Sequence, residues 1–423
     1  MGVNDIVELK DSGAVWIGNV PKEWCVDKLK YHLKRNEPRN PGNQQVLSLY
    51  REYGIIPKDS RDDNHNVTSE DTSKYKYVQK GNFVINKMKA WQGSVAVSGF
   101  EGIVSPAYYV YEFTDGKLDK RFFHYLLRSC YKDEFRRLSG GIREGQWDLP
   151  SEALNNTLIV FPKIKEQEKI AAFLDVKCAE IDALSMDIKT EIDILEEYKR
   201  SVIAEKVTKG LKADVRMKDS GIEWVGMIPS SWNIHPVYYY FGERKEKNYN
   251  LKEQNLLSLS YGKIIRKDIN ANGGLLPASF STYNIAEADD IIIRPTDLQN
   301  DKRSLRTGLV TERGIITSAY IDLMPKSGVN SKYFHYLLHA YDIMKVFYNM
   351  GNGVRQGLNY SEFSKIMVIA PLEKEQQEIA NYLDTKCAEI DSIIETKKEQ
   401  LKVLDEYKKS IIYEYVTGKK EVV

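Results

Sequence analysis

The feature that most constrains this chain is that it is written twice. Asp11-Ser12-Gly13-Ala14-Val15-Trp16-Ile17-Gly18, followed by Pro21 and Trp24, returns as Asp219-Ser220-Gly221-Ile222-Glu223-Trp224-Val225-Gly226, followed by Pro229 and Trp232. Phe123-His124-Tyr125-Leu126-Leu127 returns as Phe334-His335-Tyr336-Leu337-Leu338, and Gly141-Ile142-Arg143 as Gly353-Val354-Arg355. The hexapeptide Lys177-Cys178-Ala179-Glu180-Ile181-Asp182 is repeated letter for letter at 386–391. The offset stays between 208 and 212 residues. Solenoids and propellers repeat every 20–50 residues or so, which excludes them. A whole module has been duplicated once. The copies diverge unevenly: residues 36–80 and 243–290 share little beyond Val46-Leu47-Ser48-Leu49 against Leu256-Leu257-Ser258-Leu259. A common frame with different inserts suggests one job performed twice on different targets.

Each module is long enough to bury its own core, and 42% hydrophobic with 29% charged residues is an ordinary globular balance. The 61 basic and 60 acidic side chains nearly cancel, which argues against a protein that coats nucleic acid by charge alone. No run approaches the roughly 18 apolar residues of a membrane span, and the N-terminus lacks a basic-then-apolar signal pattern. Cys25, Cys130, Cys178 and Cys387 stand far apart, encoding neither a zinc site nor a disulfide framework. A cytoplasmic location is expected.

Within each copy, mixed strands and short helices come first. Residues 81–86 and 102–110 read as buried strands, Pro106 marking an edge or bulge. Helices are expected over about 120–137 and 331–350. The tails differ in kind: neither proline nor glycine occurs between Pro162 and Gly210 or between Pro371 and Gly418. Ile181, Leu184, Ile188, Leu195, Tyr198 and Val202 approximate a heptad seam, matched by Ile390, Ile393, Leu404, Tyr407 and Ile411, with Lys397 where Ile188 would fall. A helix with one apolar stripe must bury it. Each tail's available partner is the other, so an antiparallel pair is the economical arrangement, placing the modules at its two ends.

Loops of suitable chemistry for DNA recur in both halves. Arg143 and Gln146 in one, Arg355 and Gln356 in the other, lie among glycines. Glycine lets a backbone approach a ligand closely, arginine can be bidentate to guanine and glutamine to adenine. A solvated surface turn is the competing reading. Lys87 and Lys89 beside Trp91, and Arg294 with Arg303 in a polar loop, are further candidate contacts. Nothing here reads as catalytic or metal-binding: no GxxxxGK[ST] loop, no Asn-Pro-Pro-aromatic tetrad, no metal-spaced histidines.

The Asp-Ser-Gly-x-x-Trp-x-Gly-x-x-Pro-x-x-Trp opening resembles that of type I restriction–modification specificity subunits. So do the Gly-x-x-Arg loops and the tail starts, Pro162 through Glu166-Gln167 to Asp175 and Pro371 through Glu375-Gln376 to Asp384. The likeness spans essentially the whole chain. It implies an α+β fold of two pseudo-symmetric mixed α/β target recognition domains, 1–165 and 213–374, separated by an antiparallel coiled coil of two long helices, 166–212 and 375–423. It implies a non-catalytic subunit, each domain reading one half of a bipartite double-stranded DNA target while the helices set the gap and dock two modification (methyltransferase) subunits. No cofactor is expected in this chain; S-adenosylmethionine, ATP and Mg are expected on the modification and restriction (translocase/nuclease) partners. A protein-only scaffold, and a specificity chain with its own methyltransferase or nuclease activity, are the alternatives.

Overall fold

Free of proline and glycine, the two tails form continuous helices, Ile164–Lys209 and Glu373–Val416. The computed structural model describes residues 8–422 except 52, 61–70, 142–146, 270–276, 278, 297, 299–304 and 350–356. The chain divides into two compact units, one of Met1–Ile188 with Glu399–Val423, the other of Lys189–Lys398. The division falls inside both long helices, so each unit holds a head, the start of one helix and the end of the other.

The first head is built on a four-stranded antiparallel sheet in the order Leu33–Arg35, Tyr108–Phe113, Phe83–Asn86, Val95–Val97. Its central strand is apolar on both faces because both are covered. Phe83 and Ile85 face the head helix, while Val84 joins Val110, Leu47, Leu49 and Ile55 in a second cluster. The second head repeats this order with Phe241–Glu243, Ile321–Pro325, Ile291–Ile293 and Thr307–Leu309. Ile291 and Ile293 face its helix, and Ile292 packs with Leu257.

Asp119 caps the first head helix, Lys120–Cys130, accepting from the Arg121 and Phe122 amides and satisfying donors with no partner inside the helix. Phe122, Phe123, Leu126 and Leu127 are buried. The expected single helix over 120–137 is two, broken at Tyr131 before Lys132–Leu138; that phenol is buried and donates to the Leu158 carbonyl at 2.9 Å. Its counterpart, Ser331–Ile343, also stops short, with Lys345 at φ +63° ending the helical path. The strand expected over 102–110 is likewise two, Gly102–Val104 and Tyr108–Phe113, in different sheets. Pro106, with no N–H to extend a ladder, lies in the turn between them.

The motifs shared by the copies hold these elements together. In the opening, the Gly13 amide donates to Asp11 Oδ1 and the Ala14 amide to Ser12 Oγ; Gly221 with Asp219 and Ile222 with Ser220 repeat the turn. At the tail start, buried Gln167 donates to the Lys117 and Pro162 carbonyls and accepts the Asp119 amide, each at 2.8 Å. Gln376 does the same between the Pro371 carbonyl and the Asn330 amide. A buried carboxamide satisfied on both ends fixes the angle at which each helix leaves its head.

Within each unit the helices run antiparallel. In the first, Asp182 meets Lys408 at 2.6 Å and Phe173 meets Tyr415 with ring centroids 4.5 Å apart. In the second, Lys199 meets Asp391 at 2.7 Å and Glu191 meets Lys397. The two Asp–Lys pairs use equivalent positions of the two copies with the partners exchanged. Exposed pairs of this kind contribute about 0–1 kcal/mol, so they specify register more than stability. Lys397, the departure from the apolar seam, reaches across to that glutamate instead of packing into the seam.

The seam keeps Ile181, Ile188, Val202, Ile390 and Ile411 of the expected set and departs from it at four positions. Leu174, Cys178, Ile181, Ile188, Ile192 and Val202 are buried on one helix, and Leu383, Cys387, Ile390, Ile394 and Ile411 on the other. Leu184, Tyr198, Ile393 and Tyr407 are instead 48%, 49%, 47% and 53% exposed. The phase is set where the helix leaves the head, by Leu174 and Cys178; a 4-3 alternation from there selects half-buried Ser185 over Leu184, and Ile394 over its neighbour Ile393. No helix among the described residues is long and apolar enough to cross a membrane.

One glycine in each unit admits a close backbone approach. A Cβ on Gly102 would lie 2.4 Å from the Gln45 carbonyl oxygen and 2.8 Å from Leu47; on Gly314 it would lie 2.5 Å from the Asn255 oxygen and 2.7 Å from Leu257. The following amides, Ile103 and Ile315, donate to those same carbonyls at 2.9 and 2.8 Å. Gly102→Ala and Gly314→Ala are therefore each expected to destabilise by about 1–3 kcal/mol, the range for overpacking, read as a lower urea midpoint. A midpoint unchanged in both variants would contradict the close approach.

Candidate nucleic-acid interface

In the first unit, the strand Phe83–Asn86 delivers Lys87 to the foot of the glycine-rich loop. The Leu149 amide donates to the Lys87 carbonyl at 3.0 Å, and Lys87 Nζ meets Asp148 Oδ2 at 2.9 Å. Gly140 and Asp148 exchange backbone bonds of 3.2 and 2.9 Å, closing the loop's base. Hydrogen bonding to Asp148 raises the Lys87 pKa, so this ammonium stays charged. Trp147, emerging from the loop, packs on Trp91 with centroids 5.5 Å apart, and the Trp91 indole N–H donates to the Met88 carbonyl. Trp91 is thus half-buried, neither a core residue nor an open stacking platform. Lys89 is exposed on the same turn.

Beside this turn lies a polar cluster on the sheet that sequence reasoning did not assemble. Arg35 forms two bonds to Glu37, at 2.7 and 2.8 Å, with its guanidinium 4.4 Å from the Tyr109 ring centroid. Glu37 also meets Lys76 at 3.0 Å, and Tyr109 donates to the Leu149 carbonyl at 3.3 Å. The set is not apparent from local sequence because Arg35 reaches Tyr109, and Glu37 reaches Lys76, from strands distant in sequence. A further contact joins Arg51 to Gln92 at 2.7 Å on the surface.

The second unit pins its loop at the same point. The Leu358 amide donates to the Pro295 carbonyl at 3.0 Å, as Leu149 does to Lys87. Arg294 is half-buried and its amide donates to the Arg306 carbonyl at 2.8 Å. Arg306 is fully buried; its amide reaches Asp342 at 2.6 Å and its Nη1 the Thr296 carbonyl at 2.5 Å, so this cation holds the turn after the strand from inside. Of the candidate contacts, Lys87 and Lys89 therefore lie at the foot of the first loop and Arg294 beside the second. Arg143, Gln146, Arg355, Gln356 and Arg303 lie outside the described residues.

The two halves carrying these loops match the model of a type I restriction modification DNA specificity domain over residues 32–193 and 305–403, more than half of the chain. The chain belongs to that family. As a specificity subunit with two recognition domains, it is 23% identical over 424 residues to the putative type I restriction enzyme MjaX specificity subunit of Methanocaldococcus jannaschii, covering 95% of each. It is 22% identical to the MjaVIII specificity subunit of the same organism, covering 95% of this chain and 93% of that one. Among solved structures, it is similar to a chain from work on complex assembly and conformational transition of the type I R-M system, with TM-score 0.69, 13% identity, and 95% and 99% of the two chains covered. The HsdS subunit from Thermoanaerobacter tengcongensis matches with TM-score 0.52 at 14% identity, covering 95% and 98%. At such identities these structures speak to the fold.

The specificity subunit's two recognition units differ at equivalent positions of their matching sheets. Where the first has Asn36, Asn82 and Val110, the second has Arg244, Asp290 and Asp322, placed alike because the Asn36 amide donates to Val110 and the Arg244 amide to Asp322. Arg244 grips Asp290 at 2.6 and 3.2 Å. Burial, then the neighbouring Asp290, pushes the Asp322 carboxyl up to about 8. Folded Asp322 thus keeps a proton that the unfolded chain releases near pH 4. The folded state holds more protons between those values, so this group's contribution is present below about pH 4 and is lost as pH rises through about 8. Asp322→Asn is expected to flatten the pH dependence of the unfolding midpoint across that window. An unchanged slope would mean that Asp322 is ionised in the folded protein at neutral pH.

Proposed function

We propose that this chain is the non-catalytic DNA-reading subunit of a type I restriction–modification complex, its two units each reading one half of a bipartite duplex target. The observation that supports this most directly is a repeated frame bearing unlike inserts: both glycine-rich loops are pinned at the same strand end, while the residues around them differ. Arg143 and Gln146 with Lys87 and Lys89 serve one half, Arg355 and Gln356 with Arg294 and Arg303 the other. Arginine and glutamine supply base contacts, and lysines hold the phosphates. A good bidentate base contact is worth about 1–3 kcal/mol of discrimination. Arg143→Ala is expected to relax methylation at one half of the target and leave the other intact, as read by mapping modified adenines; equal loss at both halves would contradict independent reading.

The chemistry belongs to partners: modification subunits with S-adenosylmethionine that methylate adenine, and restriction subunits that use ATP and Mg. Their docking is supported by apolar side chains left outside the helix seam. Leu184, Val403 and Tyr407 are exposed in the first unit, and their counterparts Ile393, Ile194 and Tyr198 in the second. Leu184 and Tyr407 each immediately precede a seam position, the flanking place where a further helix packs. An equivalent arrangement in each unit suits two copies of one helical partner. Leu184→Asp combined with Tyr407→Asp is expected to release one modification subunit, with the loss of mass read by native mass spectrometry and an unchanged unfolding midpoint. Retention of both subunits would place docking elsewhere.

A further inference from the structure

Among the described residues, each divergent insert contains a β-hairpin, Leu47–Tyr50 with Gly54–Pro57 in the first unit and Leu256–Ser260 with Lys263–Lys267 in the second. Their inner faces are alike: Leu47, Leu49 and Ile55 pack against the sheet in one, and Leu257 with half-buried Ile264 in the other. Their mid-strand outer pairs are alike too, Ser48 opposite Ile56 and Ser258 opposite Ile265. The exposed tips differ. The first carries exposed Arg51 and Tyr53; the second carries exposed Tyr261 and Lys263.

Described residues of each tip pack against the head helix and its neighbours. Arg128 of the head helix donates from Nη2 to the Arg51 carbonyl and from Nη1 to the Val95 carbonyl at 3.3 Å. Gly54, at φ +71°, lies where a Cβ would stand 3.4 Å from Ala96 and 3.6 Å from both His124 and Arg128. Gly262, at φ +78°, lies likewise against Leu305 at 3.1 Å and His339 at 3.5 Å. The base of each hairpin is clamped by Gly102 or Gly314, as described above. An element clamped at its base and packed at its tip, with different exposed side chains at that tip in the two units, has the preorganisation that a reading device needs.

In the first unit the tip also has the right groups. Arg51 Nη2 donates to Gln92 Oε1 at 2.7 Å, so a guanidinium fork and a carboxamide are held together at the surface. Gln92 follows Trp91, which packs on Trp147 at the foot of the glycine-rich loop, so hairpin tip and loop share one edge of the unit. A duplex major groove, roughly 12 Å wide, admits a two-stranded ribbon, and arginine and glutamine are the side chains that pair bidentately with guanine and adenine there.

We propose that these hairpins are the base-reading elements of the two recognition units, with Arg51 and Gln92 as specificity-determining residues of the first and the Tyr261–Lys263 tip serving the second. This rests on the DNA-reading function proposed above and adds a reader that the glycine-rich loops do not include. The test uses the chain assembled with its modification subunits and duplexes in which each position of the methylated target is varied in turn. Arg51→Ala and Gln92→Ala are expected to lower discrimination about 10- to 100-fold at one or two neighbouring positions of one half-target, leaving the other half unchanged. Arg51→Lys is expected to restore the salt dependence of binding but not the discrimination, because an ammonium replaces the charge without the planar fork. Full discrimination in all three variants, or a uniform loss of affinity that lysine restores, would overturn the proposal. Unfolding midpoints matching the parent exclude a folding defect in Arg51→Ala, and Gln92→Ala leaves the Arg128 clamp untouched. A parent complex that discriminates at no position would overturn the recognition function itself, and this proposal with it.

Discussion

Each head depends on two helix ends for its core. In the first unit, Ile170, Ala171 and Leu174 at the start of one long helix and Val416 at the end of the other lie in the same buried cluster as Trp24, Phe122 and Leu126. In the second, Ile379, Ala380 and Leu383 enter from one helix, and Val202, Ile203 and Val207 from the other. The Tyr333 hydroxyl donates to the Val207 carbonyl, which the helix itself leaves unpaired near its C-terminus. Fully burying side chains of this size contributes about 1.5–3 kcal/mol each. The antiparallel sense of the helices within each unit follows, because the beginning of one and the end of the other share a core.

That dependence explains the glycines that end the helices. Gly418, at φ +69°, sits where a Cβ would lie 2.4 Å from Pro21, and Gly210, at φ +78°, where it would lie 3.3 Å from Trp232. Both close the helix with a left-handed residue, as glycine does readily, and both abut the opening motif of the head that the helix completes. The shared opening is therefore the surface that receives a helix end. Much of what the copies have in common is architecture of this sort, including the buried Gln167 and Gln376 clamps.

The organisation of the fold was largely legible in the residues. Duplication at a near-constant offset, long proline-free tails, and the Pro-x-x-x-Glu-Gln helix starts all follow from local spacing, and the helices begin within two residues of the expected 166 and 375. The seam was less legible, because Leu184 and Ser185, or Ile393 and Ile394, are neighbours whose phase is set by packing further along the helix. Helices over 120–137 and 331–350 looked continuous because their composition is helical, whereas a buried tyrosine and a left-handed lysine end them. Lys87 and Arg294 could be named as candidate contacts because they lie in or beside recognisable loops. Arg51 with Gln92, and Arg35 with Glu37 and Lys76, could not, because each set joins segments about 40 residues apart in sequence.

Periodicity and motif spacing act over a few residues, and they alone determined that this chain is two copies of one α+β module with helical tails of set length. The tertiary structure decided which side chains those tails bury, which helix end completes which core, and which hairpin residues stand together at the surface. Those outcomes depend on contacts between segments remote in sequence, and burial selects among neighbouring residues that local pattern leaves equivalent.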